Sequence, residues 1–369
     1  MKSTLFNLIS QFGEVLQQRF FPALEEETGP LSENHQRLVT VLGMIGLEVH
    51  LQMRRGGRGR PPQDRLALAR AFVAKAIWNL PTTEMLIQLL GSDTSLRRIC
   101  GWDGRGQIPD KSVFSRAFKE FAESELPQRA HEALIRRTQG ERLIGHISRD
   151  ATALPARERV PKAEAAAAQP APPKLKVRRK RGEPKRPEQM TRIERQQTMK
   201  LPAMLAELPR DCAVGCKTNS HGRKETWRGY KLHLDVADGQ IPISAILTSA
   251  SLHDSQAAIP LAEMTAKRVT NLYDVMDSAY DCQALRQHSQ ALGHVAIIER
   301  LKRCEGLVPM APHEAARYRE RTSVERVNSR LKDEFGGRYV RVRGHAKVMA
   351  HVMFGLLVLS VDQILRLAT

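Results

Sequence analysis

Apolar residues recur at helical spacing through roughly the first 140 positions, and the repeat then changes to that of strands. Leu5–Phe20, Glu33–Met53, Gln63–Trp78, Thr83–Leu90, Lys111–Glu123 and Leu126–Arg137 read as helices. They are separated by breaks at Gly29-Pro30, Gly56-Gly57, Pro61-Pro62, Gly101 and Pro109, and Asp110 or Ser112 is placed to cap the fifth. From Leu143 to Leu154 the chain reads as a short strand with Asp150 at or near its end. Trp227–Val236 and Ile241–Ser249 flank Asp238-Gly239, which predicts a hairpin. Asp254–Arg268 reads as a helix, Leu272–Asp277 as a strand ending in an acidic residue, Cys282–Leu292 as a helix and His294–Ile298 as a strand. Tyr318–Lys332 contains neither Pro nor Gly and predicts a helix, followed by an apolar helix over about Lys347 to Leu367. This order describes an α/β fold, a mixed sheet flanked by helices and preceded by an all-helical domain. The division expected is 1–140 helical and 141–369 sheet-containing.

Between about 157 and 200 the pattern lapses. Ala163–Pro173 is rich in Ala and Pro, and Lys174–Lys200 holds 11 Lys or Arg against three Glu. Such a segment buries too little apolar surface to offset ordering entropy, so it reads as a disordered insertion whose basic half suits phosphates.

Composition narrows the partners. With 58 Lys and Arg against 40 Asp and Glu, the formal net charge is +18, which points to nucleic acid. Five scattered cysteines with no legible secretory leader fit a reducing, cytoplasmic setting. Cys212-x3-Cys216 lacks a second Cys/His pair at zinc-site spacing. The longest apolar run, Val348–Val361, is interrupted by His351 and Ser360 and reads as a buried helix rather than a membrane span, so no membrane partner is expected. Arg58-Gly59-Arg60-Pro61 matches a short minor-groove hook, which makes Arg58 and Arg60 candidate DNA contacts; the plainer reading is that Pro61-Pro62 opens the next helix.

On a regular helix Tyr318, Arg321, Glu325 and Lys332 fall within about 60° of arc, with Val324, Val327, Leu331 and Phe335 on a neighbouring apolar face. Alone, that polar face is an ordinary solvated one. Ligands in open α/β sheets collect at the carboxyl ends of strands, where Asp150 and Asp277 are expected, so Asp150, Asp277 and Glu325 become candidates for one site. Three carboxylates suit Mg²⁺ or Mn²⁺, and two such ions about 4 Å apart serve phosphodiester chemistry. Asp150 is then the carboxylate between the ions.

The spacing Tyr318-x2-Arg321-x3-Glu325-x6-Lys332 resembles the signature of DDE-class insertion-sequence transposases. Trp227-Arg228-Gly229-Tyr230-Lys231-Leu232-His233, Leu252-His253-Asp254-Ser255 and Met276-Asp277-Ser278-Ala279-Tyr280-Asp281 are similar to further motifs of that family. The likeness spans about residues 55 to 365. It departs at Asp150-Ala151-Thr152, where the family often has Asp-Ser-Thr, and at Asp277-Ser278-Ala279-Tyr280, where it often has Asp-Lys-Gly-Tyr; both departures keep the carboxylate.

The resemblance implies a ribonuclease H-like catalytic domain that cleaves double-stranded DNA at element ends and joins the freed 3′-hydroxyl to target DNA. It also implies two divalent ions, a homodimer in the DNA complex and a bacterial cytoplasmic, nucleoid-associated location. Arg321 and Lys332 would hold phosphates, Tyr318 the DNA terminus, and Tyr230 and Lys231 would touch DNA from their strand. His253 and Asp254 would either assist or form a structural pair at a helix start. The alternative function is a transposase-derived DNA-binding or regulatory protein without catalysis. A tyrosine-recombinase reading of His146-x2-Arg149 is set aside, because the next tyrosine is Tyr230.

Deleting Lys174–Arg186 is expected to reduce the slope of log affinity for DNA against log salt concentration. A binding titration across salt concentrations checks this, and an unchanged slope would show that the stretch makes no phosphate contact.

Overall fold

A computed structural model describes residues 14–51, 63–161, 190–218, 222–300 and 309–368. Its first part is a set of short helices: α1 (Phe21–Thr28), α2 (Glu33–Ile45), α3 (Leu47–His50), α4 (Arg65–Ile77), α5 (Thr83–Ser92), α6 (Thr94–Cys100), α7 (Lys111–Glu123) and α8 (Leu126–Gln139). Side chains set several starts: Ser32, Asp64, Thr82 and Asp93 each accept a backbone N–H of the first turn they precede. Asp110 stands at the start of α7 without a capping hydrogen bond. The helix predicted over Glu33–Met53 is broken, because Gly46 takes a left-handed conformation (φ 63°) and ends α2. Residues 52–62, and with them Arg58 and Arg60, lie outside the described residues, as do 162–189 of the basic insertion.

Six strands form one mixed sheet: β1 (Leu143–Pro155), β2 (Ala213–Thr218), β3 (Lys224–Ala237), β4 (Ile241–Ser249), β5 (Thr270–Met276) and β6 (Val295–Ile298). β1 is central, antiparallel to β3 and parallel to β5, while β6 extends β5 in parallel. The predicted hairpin is β3–β4. Its Asp238 also accepts the backbone N–H groups of Gly145 and His146 at 2.7 and 3.0 Å, so the turn is tied to β1.

The covering helices are α9 (Arg192–Gln196), α10 (Leu201–Glu207), α11 (Ala258–Ala266), α12 (Gln283–Ala291), α13 (Pro312–Tyr318), α14 (Thr322–Glu334) and α15 (His345–Ala368). α9 lies inside the stretch that composition assigned to the insertion, yet Thr191 caps it with a reciprocal Glu194 contact. Met204, Ile259, Met276, Tyr280, Leu285 and Ile298 pack under α10–α12 on one side of the sheet. The opposite side is closed by α15, which is long and apolar enough to cross a membrane by length and composition but is mostly buried here. Its Val352, Phe354, Leu356 and Leu359 share one cluster with Leu38, Phe72, Phe114 and Leu134 of the helical region and Ile147 and Leu232 of the sheet.

At the centre of the sheet, Arg149 of β1 faces Asp235 of β3 in register and donates to it twice, at 2.7 and 2.8 Å. Both side chains are almost fully buried, and Thr265 of α11 donates to the same carboxylate at 2.7 Å. Removing one partner of such a pair strands an unpaired charge. Asp235→Ala is therefore expected to lower stability by about 3–5 kcal/mol, and a joint Arg149→Met, Asp235→Leu change by much less. Urea unfolding of the two variants measures the difference.

Candidate active site

The parallel register of β1 and β5 runs to Arg149↔Met276, where β5 ends. The next residues on the two strands are Asp150 and Asp277, so pairing delivers two carboxylates side by side at one sheet edge. β1 itself continues along β3 to Pro155, with Asp150 opposite Leu234. Asp150 thus lies mid-strand toward β3, and the strand end expected from sequence exists only on its β5 side. Asp277 opens a single 3₁₀ turn (Ser278–Tyr280) by accepting the Ala279 N–H at 3.0 Å, which fixes its side chain where β5 stops. Tyr280 of that turn is buried and lies within reach of the charges of Asp254, Asp150 and Asp277.

Electrostatics tie a third aspartate to the pair. Burial pushes the Asp150 carboxyl up to about 7, and the nearby Asp277 and Asp254 charges push in the same direction, opposed by the Ala151 N–H and Arg321. Burial also raises Asp277, with Asp254 and Glu299 adding to the shift. Asp254 arrives on the turn after β4 and is held by Lys231 Nζ at 2.8 Å; the same ammonium donates to the Leu252 carbonyl at 2.8 Å.

The Tyr318–Lys332 segment is not one regular helix. α13 ends at Tyr318, Arg319–Arg321 tighten into a 3₁₀ turn, and α14 begins at Thr322, all with right-handed helical torsions. Ser148 Oγ of β1 donates to the Glu320 carbonyl at 2.8 Å and holds the tightened turn against the sheet. Val324, Val327, Leu331 and Phe335 are buried as their spacing predicts. Arg321 pairs with Glu325 at 2.8 Å and acts electrostatically on both Asp150 and Asp277. Lys332 Nζ donates to Thr152 Oγ1 of β1 at 2.5 Å, two residues beyond Asp150. Burial lowers its pKa, as do Lys217 and Arg338 beside it. Tyr318 donates to Glu299 at 3.1 Å.

The structure therefore brings Asp150, Asp277 and Asp254 into one electrostatic neighbourhood. Glu325 reaches it through Arg321, its carboxylate half exposed. Among the described residues, no three His, Cys, Asp or Glu side chains already stand as a ready-made metal cage. The donor chemistry nevertheless fits a hard divalent cation, since half-buried carboxylates that repel one another are oxygen ligands, and such cations keep water and phosphate in the rest of their shell.

Several expected contacts are corrected. Tyr230 is 1% exposed and its hydroxyl donates to Glu158 at 3.0 Å, so it packs in the core and offers no surface to DNA. Lys231 is engaged with Asp254 and is a support of the acidic site. His253 bonds Ser255 at 2.8 Å at the start of its turn, while Asp254 is held by Lys231, so the two are not partners in the pair expected from sequence. His146 contacts Asp238 and Arg149 contacts Asp235, so the set-aside His-x-x-Arg pattern builds no site. Cys212 is buried and Cys216 exposed, at opposite ends of a short stretch of edge strand. Glu299 was missed, although it follows β6 as Asp277 follows β5 and the same strand-end argument would have found it.

Asp150 also makes a pH prediction. Its folded pKa lies above the ordinary carboxylate value, so between about pH 4 and 7 the folded state binds more protons than the unfolded one. With divalent ions chelated, stability attributable to this group falls as pH rises through that window. Asp150→Asn is expected to stabilise the protein, more at pH 8 than at pH 4, as read by thermal melts at the two pH values. An equal effect at both would contradict the assigned environment.

Two family models match the chain: the Transposase domain (DUF772) over residues 31–120 and the Transposase DDE domain over residues 212–361. The first covers much of the helical region. The second covers Asp254, Asp277 and the α13–α14 segment, with Asp150 ahead of its first matched residue. Comparison with curated proteins and with solved structures returns no match. The ribonuclease H-like sheet and the two transposase-domain matches lead to one assignment: the chain belongs to the DDE-class insertion-sequence transposases.

Proposed function

We propose that this transposase cleaves double-stranded DNA at the ends of its element and joins the freed 3′-hydroxyl to target DNA, with Asp150, Asp277 and Glu325 as its catalytic carboxylates. The observation that carries the reading is the β1–β5 register, which sets Asp150 beside Asp277. Asp150, Asp277 and Glu325 would together hold two Mg²⁺ or Mn²⁺ ions. When bound, the ions activate the attacking oxygen and stabilise the leaving oxygen of the phosphodiester.

The chain's own groups supply the rest. Arg321, already between Glu325 and the aspartates, is placed to exchange part of that contact for a bidentate grip on a phosphate oxygen pair. Lys332, held at Thr152 with Lys217 and Arg338 beside it, forms a cationic rim that a nucleic-acid backbone would neutralise. Tyr318, whose hydroxyl donates to Glu299, would pack on the DNA terminus. Lys231 keeps Asp254 oriented at the edge of the acidic group. Residues 1–140 are assigned to DNA binding or dimerisation and 141–369 to catalysis, with a homodimer on paired ends and a cytoplasmic, nucleoid-associated location.

Incubation of purified protein with end-labelled element DNA and Mg²⁺ is expected to give strand cleavage that chelation stops. Asp150→Asn, Asp277→Asn and Glu325→Gln should each abolish it while DNA binding survives in a gel-shift assay. Full cleavage by any one variant would remove that residue from the catalytic set.

A further inference from the structure

Asn79 closes two helices at once. It follows Trp78 at the end of α4 in a left-handed conformation (φ 49°). Its own N–H donates to the Ala76 carbonyl at 3.1 Å, and that of Leu80 to the Lys75 carbonyl at 3.0 Å, the paired bonds of a Schellman ending. Glycine is the usual residue at such a position because it takes that conformation without strain. α4 uses only the backbone of Asn79, so its side chain serves something else.

That side chain spans to the far end of α14. Nδ2 donates to the Asp333 carbonyl at 2.7 Å, and Oδ1 accepts the Gly336 N–H at 2.9 Å. The last carbonyls of a helix have no partner within it. Here Leu331 is served by the Gly337 N–H and Asp333 by Asn79, while His351 bonds the Gly336 carbonyl from the other side at 3.0 Å. α14 bears Glu325 in its first turn and Lys332 in its last, so its axial position and rotation set both relative to β1. Asn79 belongs to the stretch matched by the first transposase model and α14 to that matched by the second.

We propose that Asn79 is a positioning residue that couples the amino-terminal helical region to the catalytic helix, holding α14 in the register that presents Lys332 and Glu325 to the substrate. The proposal rests on the catalytic reading of α14 given above. A displacement of about 1 Å in a catalytic group is enough to cost up to about 100-fold in rate.

Asn79→Gly isolates the effect, because it retains the left-handed ending of α4 and deletes only the amide. Its melting temperature and affinity for element DNA should stay close to those of the unaltered protein. Its single-turnover cleavage rate at saturating DNA should fall about 10- to 100-fold, and amide hydrogen exchange at Gly336 and Gly337 should quicken. Asn79→Asp, which keeps an acceptor for Gly336, should recover part of the rate. In a Lys332→Ala background the Asn79→Gly loss should largely vanish, since coupled residues are not additive. Cleavage by Asn79→Gly at the unaltered rate, or full additivity with Lys332→Ala, would overturn the proposal while leaving the catalytic reading intact. If Lys332→Ala and Glu325→Gln both cleave at the unaltered rate, the catalytic reading of α14 fails and the proposal falls with it.

Discussion

The buried pair of Arg149 and Asp235 constrains the whole sheet-containing half. A guanidinium and a carboxylate taken out of water persist only if each finds the other with good geometry, and here the two bonds lie directly across the β1–β3 register. Slipping β1 by one residue would turn Arg149 away from Asp235 and Asp150 into the core. The same slip would carry Asp150 out of step with Asp277. The position of the acidic site follows from this pairing.

From that register the site is assembled by supports that are not themselves acidic. Lys231 positions Asp254, Thr152 receives Lys332, and Ser148 pins the turn carrying Arg321. Each of these supports sits on β1 or β3, so the central strands both carry acidic residues and form the template against which α14 is aligned. Gly229 marks how close the approach is: a Cβ there would lie 2.2 Å from the Leu154 carbonyl, and its φ of 150° is one that side chains avoid.

Much of this was legible in the residues alone. The Asp238-Gly239 turn, the strand ending at Asp277, and the buried stripe of Val324, Val327 and Leu331 all follow from local pattern, whereas β1 runs five residues past Asp150. What escaped was set by distant contacts. β2 has little alternation, and it lies along β3 with the Trp227 ring covering Gly215 opposite it. The tightened turn at Arg319–Arg321 answers to Ser148, 172 residues earlier. Tyr230 was misread because the second half of β3 is covered on both faces, so alternation no longer separates inside from outside. Asp254 was legible as a candidate, and its charge coupling to Asp150 became visible only with β4 in place.

The position of α15 in the core has a consequence for biosynthesis. Its apolar residues fill the space shared by the early helices and the sheet, so contacts that complete the core join residues about 300 positions apart, as Phe72 and Phe354 do with ring centroids 6.0 Å apart. During translation at about 5–20 residues per second the early helices wait many seconds with their apolar faces uncovered. Fragments ending before His345 would retain that exposed surface, which makes aborted or truncated products targets for chaperones and proteases, and delays assembly of the acidic site until α15 has been made.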